Sequence, residues 1–295
     1  MAMSEGDLDI VRRAFAKQVM AAAGVENADV EAGFAAVRRE EFLGPGPWQI
    51  LRWGRGYVPS PSGDPVYLLT DDVVAILPER HINNGQPSLH ASLMASADPL
   101  AGEHVVHIGA GVGYYSAILA HAVGPAGRVT AIEFDPELAA RAQANLSALA
   151  QVRVVQGDGS AAPFDAADVI YVNAGATRPA DRWLDGLREG GRMVLPLTTN
   201  HGFIAGSSIS TAELSIDRRG AVFLIERRGG EFLAKWLSPV AIFPCEGMRD
   251  PESEAALAAA FEKGGWRDVR RLYRGDDAPE QDCWLRAPGW SLAYR

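Results

Sequence analysis

The chain has 295 residues, 47% of them hydrophobic and 22% charged, a balance that supplies enough apolar surface for a core and excludes a disordered chain. Its formal net charge of −9 repels a phosphate backbone, so no nucleic-acid partner is expected. The two cysteines, Cys245 and Cys283, lack CxxC spacing and point to neither a disulfide framework nor a zinc site.

The first nine residues are acidic and polar where a signal peptide would be basic and then apolar, and no stretch approaches about eighteen uninterrupted apolar residues. A cytoplasmic protein with no membrane partner is expected. Leu8, Val11, Phe15, Val19 and Met20 recur at helical spacing and predict an amphipathic helix over 6–23, with a second over 28–42. Gly44-Pro45-Gly46-Pro47 then interrupts regular structure, and 44–86 reads as a loop-rich segment with strand-like runs at 66–69 and 73–77 and room for a hairpin. Trp48, Trp53 and Tyr57 in this segment either line an acceptor cleft or pack the segment onto the core.

After Pro87 the texture alternates. Helices are predicted over 88–97, 114–122, 136–149 and 181–187, and strands over 104–108, 128–133, 152–156, 168–172 and 193–197, the signature of parallel βαβ units. The runs 221–226 and 232–237, joined by Arg228-Gly229-Gly230, suggest an antiparallel pair at the sheet edge. A helix over 252–263 and strands over 283–286 and 290–293 complete the chain. The expected fold is therefore α/β, a doubly wound Rossmann-like sheet with an N-terminal helical subdomain and an antiparallel C-terminal edge. The expected domain organisation is 1–86 as the N-terminal helical and loop-rich subdomain, 87–245 as the core and 246–295 as a C-terminal extension.

The chemistry concentrates at the carboxyl ends of the first core strands, where open α/β sheets bind ligands. His107-Ile108-Gly109-Ala110-Gly111-Val112-Gly113 joins a Val/Ile-rich strand to a helix, so backbone amides and a helix N-terminus can face a ligand closely. A dinucleotide fold would place its third glycine at 114, but that position is Tyr114. The GxGxG form resembles motif I of S-adenosylmethionine-dependent methyltransferases. The next strand ends in Glu133, whose carboxylate can accept both hydroxyls of a ribose, with Phe134 beside it to pack on a purine ring. The third strand runs into Gln156-Gly157-Asp158-Gly159 and places Asp158 to accept from an adenine amino group. The expected cofactor-binding set is His107, Gly109, Ala110, Gly111, Gly113, Tyr114, Glu133, Phe134, Asp158, Gly159 and Asn173, for S-adenosyl-L-methionine. The structural alternative is that Glu133 and Asp158 only cap the turns that follow them. His81, His90, His104, His107 and His121 lack the one-faced spacing of metal ligands and His201 stands alone, so no metal is expected.

Gly85-Gln86-Pro87, the glycine loop through Tyr115, Gly157-Asp158-Gly159, Gly190-Gly191-Arg192-Met193-Val194-Leu195-Pro196 and Leu237-Ser238-Pro239-Val240 together resemble the protein-L-isoaspartate O-methyltransferase family, in the family's order. The resemblance implies a class I methyltransferase core over about 30–245 and methyl transfer to a carboxylate of a protein, peptide or related acceptor. It also implies a serine beside the transferred methyl, in a segment reading Ile-Ser-Gln-Pro or Ile-Ser-Ala-Pro. Here Gly85 replaces that serine. Asn84 and Gln86 are then the candidate catalytic residues, orienting an acceptor carboxylate by hydrogen bonds. The remaining hypotheses are a diverged methyltransferase acting on a small metabolite or natural product, which Gly85 favours, and a non-catalytic module that binds S-adenosylmethionine.

Overall fold

The computed structural model describes residues 4–52, 54–80, 82–200 and 220–295; Trp53, His81 and His201 lie outside the described residues. The chain divides into two compact units, one of Met1–Val105 with Ala110–Gln156 and the other of Val106–Gly109 with Gly157–Arg295.

The first unit contains α1 (Glu5–Ala23), α2 (Ala28–Ala36), α3 (Arg39–Leu43), β1 (Gln49–Arg52), β2 (Gly56–Pro59), β3 (Ala75–Leu77), β4 (Ile82–Asn83) and α4 (Pro87–Ala97). The start of β5 (His104–Ile108) follows, then α5 (Tyr114–Val123), β6 (Arg128–Glu133), α6 (Pro136–Asn145) and β7 (Val152–Gln156). A reciprocal cap starts α1: the Asp7 N–H donates to the Ser4 hydroxyl (3.3 Å) and the Ser4 N–H to the Asp7 carboxylate (3.3 Å), pairing donors that a helix start otherwise leaves open. Leu8, Phe15, Val19 and Met20 are buried as their spacing requires. Phe15 meets Phe34 edge-on at 6.3 Å, Phe34 meets Tyr114 at 6.4 Å, and Phe42 meets Tyr114 at 5.7 Å. The N-terminal helices are thus the cover of α5. Deleting residues 1–43 is expected to leave the Tyr114 ring and its face of α5 in water and give an insoluble or non-cooperatively melting product; a soluble 44–295 protein with a sharp melt would contradict this packing.

Two expectations fail in this unit for local reasons. The single helix over 28–42 is two helices, because β-branched Val37 adopts extended backbone (φ −83°, ψ 117°). The break lets Arg39 turn inward, fully buried, and donate to the carbonyls of Leu68 (2.9 Å), Thr70 (3.2 Å) and Asp72 (2.9 Å). The run 66–69 lies in a 3₁₀ helix, Pro65–Leu68, rather than a strand. Asp64 accepts from the Val66 N–H (3.1 Å) and Pro65 stands at the first helical position, where its fixed φ favours a helical turn. The run 73–77 does contribute β3, which pairs antiparallel with β4. A hairpin does form within 44–86, but at β1–β2, with Gln49 opposite Pro59, outside the runs expected as strands. β6 and β7 pair in parallel from Val129↔Val152 to Glu133↔Gln156.

The second unit contains the end of β5, β8 (Ala167–Val172), α7 (Asp181–Gly186), β9 (Leu187–Thr198), β10 (Gly220–Arg228), β11 (Glu231–Pro239), α8 (Pro251–Lys263), β12 (Arg271–Arg274), β13 (Cys283–Ala287) and β14 (Trp290–Ala293). Its strands run in the order β13-β14-β12-β11-β10-β9-β8-β5. β8 and β9 are parallel, and every pairing from β9 outward is antiparallel. The antiparallel edge is therefore wider than one hairpin. β12, absent from the sequence expectation, joins it by pairing with both β11 and β14. α8 packs through Leu257, Ala260 and Phe261, with Phe261 5.5 Å from the Trp284 ring and the Trp290 indole N–H donating to Ser253 (3.1 Å). The architecture is mixed α/β, and no helix of the described residues is long and apolar enough to cross a membrane.

Candidate functional site

In the first unit the glycine loop is organised by Glu133. The Gly111 N–H donates to Glu133 Oε2 (2.7 Å) and the Asp135 N–H to Oε1 (3.0 Å), while the Ala110 N–H pairs with the Ile132 carbonyl (3.1 Å). Each carboxylate oxygen keeps a lone pair for a further donor. Burial pushes the Glu133 carboxyl above the usual glutamate range, opposed by the N–H bonds from Asp135 and Gly111. Gly111 and Gly113 both have positive φ, and α5 starts directly after Gly113. The Tyr114 side chain points into the helical cover, among Phe34 and Phe42. Only its backbone faces the loop's helix start. Phe134 is 51% exposed beside Glu133.

The segment before α4 is also fixed from the first unit. Asp71, held within the stretch that Arg39 braces, accepts from the Ser88 N–H (2.7 Å), the Ser88 hydroxyl (2.6 Å) and the Gln86 side-chain amide (3.0 Å). Gln86 is thereby tied to Asp71 and exposed. Asn84 is buried at 6% exposure, and among the described residues its Nδ2 has no hydrogen-bond partner, a costly state for an amide donor unless something else takes the bond. Gly85 has φ +67°, and a side-chain carbon there would overlap Nε2 of His90, whose ring stacks on Tyr115 at 3.6 Å. Residue 85 has no room for a side chain.

In the second unit, Asn173 braces the start of the loop. Its N–H donates to the Ile108 carbonyl (2.8 Å) and its side-chain amide to the Gly109 carbonyl (3.2 Å). His107 is fully buried, edge-on to Tyr171 at 5.4 Å, and burial lowers its pKa to about 3. It is a neutral core side chain. Asp158 Oδ1 accepts from the Ser160 N–H (2.8 Å) and hydroxyl (2.7 Å), whereas among the described residues no hydrogen bond reaches Oδ2. The Gly159 carbonyl accepts from the buried Trp183 indole (2.7 Å). Trp48 is buried and donates to the Gly44 carbonyl (2.9 Å), so it packs its segment.

Sequence reasoning missed Asp71, Arg39 and His90, which shape the Asn84–Gln86 segment. Nothing in the spacing marks them, since each acts across a turn or between elements. No three His, Cys, Asp or Glu side chains gather as a metal set among the described residues.

Comparison with known proteins adds the following. The family model described as protein-L-isoaspartate(D-aspartate) O-methyltransferase matches residues 58–225. A protein-L-isoaspartate O-methyltransferase of Ignicoccus hospitalis is 40% identical over 124 residues, covering 40% of this chain and 57% of that protein. One from Aeropyrum pernix is 42% identical over 130 residues, 40% of this chain and 49% of that protein. The chain thus spans about half the length of these relatives. The one from Methanopyrus kandleri is 34% identical over 175 residues, 57% of this chain and 70% of that protein. Two solved structures share the fold: a protein-L-isoaspartate O-methyltransferase with TM-score 0.58 at 21% identity, covering 90% of this chain and 74% of that one, and a putative one from Plasmodium falciparum in complex with S-adenosyl-L-homocysteine, with TM-score 0.57 at 14% identity, covering 80% and 98%.

Proposed function

Because this chain belongs to the protein-L-isoaspartate(D-aspartate) O-methyltransferase family, we propose that it uses S-adenosylmethionine to methylate a carboxylate of a protein, peptide or related small acceptor. The observation that carries the cofactor reading is the state of Glu133: buried, with one backbone N–H on each oxygen and a lone pair left on each for a ribose hydroxyl. Asp158, whose Oδ2 accepts no hydrogen bond among the described residues, is assigned the adenine amino group, and Phe134 the ring face. Gly109, Ala110, Gly111, Gly113, Gly159 and Asn173 are assigned backbone roles in cofactor binding, and His107 and Tyr114 supporting roles. Bound S-adenosylmethionine supplies a methyl already activated on a sulfonium, so the protein's task is alignment and exclusion of water. Asn84, with a buried amide donor awaiting a partner, is assigned to orient the acceptor carboxylate. Gln86 is assigned a supporting role through Asp71. The net charge of −9 speaks against a nucleic-acid acceptor, and the two scattered cysteines fit a reducing cytoplasm.

Calorimetry with S-adenosylhomocysteine tests the reading: micromolar binding is expected, and tight binding of NADH with none of S-adenosylhomocysteine would overturn it. Acidification should weaken this binding. Only the ionised Glu133 accepts two hydroxyls, and its pKa is raised, so affinity starts to fall at a higher pH than an ordinary glutamate at about 4.3 would dictate. Glu133→Gln should bind more weakly at neutral pH and lose this acid dependence. A wild-type affinity that fell on acidification only where an ordinary glutamate at about 4.3 would dictate, or lower, would contradict the assignment.

Gly85 favours a shifted acceptor. The space a serine side chain would need is filled by His90, so a hydroxyl cannot be restored there without moving the His90–Tyr115 stack. Loss of one oriented hydrogen bond costs about 1–3 kcal/mol in the transition state, roughly tenfold to a hundredfold in rate. Turnover of an isoaspartyl peptide is expected to be lower by that factor than for a family member carrying the serine, assayed side by side. Equal turnover would show that Asn84 alone suffices.

A further inference from the structure

The segment that carries Asn84 is built on a frame of its own. β3 and β4 pair with Ala75 opposite Asn83 and Leu77 opposite Ile82, the Asn84 N–H donates to the Val74 carbonyl (2.8 Å), and the Gly85 N–H donates to the Asn83 side-chain oxygen (2.8 Å). At the far end Asp71 holds Gln86 and Ser88. Glu133 and the N–H groups it organises belong to other elements, the end of β6 and the turns into α5 and α6.

An ion pair crosses from one frame to the other within the first unit. Arg80 ends the 3₁₀ turn Pro78–Arg80, two residues before β4 begins at Ile82, and its Nη2 lies 2.6 Å from Asp135 Oδ2. The other oxygen of that carboxylate, Oδ1, accepts from the Glu137 N–H (2.9 Å) and the Leu138 N–H (3.0 Å) and so caps α6. The Asp135 N–H in turn donates to Glu133 Oε1 (3.0 Å). Asp135 is thus the fixed post of the pair, with 14% of its side chain exposed, and Arg80 is the movable arm, with 48%. An ion pair this exposed is weak enough to break and re-form readily.

We propose that the Arg80–Asp135 pair is a clasp at the mouth of the cofactor site, and that S-adenosylmethionine and S-adenosylhomocysteine exchange through its open state. This rests on the assignments of Glu133 to the ribose and Asn84 to the acceptor, which set the transferred methyl between the strand end that leads to Asp135 and the segment that follows Arg80. Closed, the pair ties these two walls together and helps exclude water from the methyl. Open, it releases one wall from the other and lets the ligand pass. A clasp of this kind alters entry and exit alike, because breaking the pair shifts the same open–closed equilibrium with ligand and without it. Affinity is left nearly unchanged.

The test follows S-adenosylhomocysteine on the wild-type protein, Arg80→Gln, Asp135→Asn and the double variant. A chase of labelled with unlabelled ligand gives koff, and calorimetry gives Kd. Asparagine still caps a helix, and circular dichroism verifies folding. At about 20 mM salt Arg80→Gln should raise koff about threefold to fivefold while Kd changes by less than about twofold. Asp135→Asn should act in the same direction by less, because Glu79 and Glu137 still attract Arg80, and the double variant should match Arg80→Gln. Raising salt to about 0.5 M should speed release from the wild type toward the Arg80→Gln rate and leave that variant's rate flat. An unchanged koff in Arg80→Gln would overturn the proposal. So would a Kd weakened in step with koff, which would make Arg80 a ligand contact, or additive effects in the double variant, which would mean that the two residues act separately. A wild type that binds no S-adenosylhomocysteine overturns the reading of Glu133 itself and the proposal with it.

Discussion

Glu133→Ala is expected to weaken S-adenosylhomocysteine binding by about 1–3 kcal/mol, roughly fivefold to 150-fold in Kd. Two effects contribute. The variant removes the charged acceptor assigned to the ribose hydroxyls, and it strands the N–H groups of Gly111 and Asp135, which each donate to one oxygen of this carboxylate. The first effect acts on the ligand and the second on the loop that would receive it. Glu133→Gln separates them: the amide keeps one oxygen for a backbone donor but presents its own N–H₂ to the other, so part of the loop's organisation survives while the charge is gone. Calorimetry at neutral pH measures both variants, and an unchanged Kd for Glu133→Ala would remove this residue from the site.

Trp183→Ala is expected to destabilise the protein by about 3–5 kcal/mol, the range for deleting a large buried aromatic side chain. Trp183 has no exposed surface and its indole N–H bonds to the Gly159 carbonyl at 2.7 Å, one residue from Asp158. Trp183→Phe keeps much of the packing and leaves that carbonyl unpaired, so a smaller loss of about 1–3 kcal/mol is expected. Urea unfolding curves measure both. A loss below about 1 kcal/mol for the alanine variant would contradict the burial described.

The strands whose ends bear the candidate site residues were legible because their signals are local. His104–Ile108, Arg128–Glu133 and Val152–Gln156 are short Val/Ile-rich runs, the first and third followed directly by a glycine and the second ending in an acidic residue, and they form where expected. The placements that failed were decided by contacts distant in sequence or by a single cap. Val66–Leu69 has strand composition, but Asp64 and Pro65 start a 3₁₀ turn there. Arg271–Arg274 is too charged to read as a strand, yet it pairs with both Trp290–Ala293 and the start of Glu231–Pro239. At the site, residue identities could be named from the strand ends, but their working relations could not. Glu133 organises the glycine loop, Gln86 is tied to Asp71, and Gly85 meets His90; none of these follows from spacing, because each partner comes from another element.

The central claim is methyl transfer from S-adenosylmethionine to a carboxylate. It is tested most directly by incubating the protein with methyl-labelled S-adenosylmethionine, cell proteins and a panel of carboxylate-bearing peptides, then treating the products with mild base. The account predicts labelled product that releases volatile methanol in base, as a methyl ester does, and less of that label with Glu133→Ala at sub-saturating S-adenosylmethionine. Label that survives base would place the methyl on another kind of acceptor atom, and tight S-adenosylhomocysteine binding without any transfer would make the protein a binding module; either result contradicts the claim.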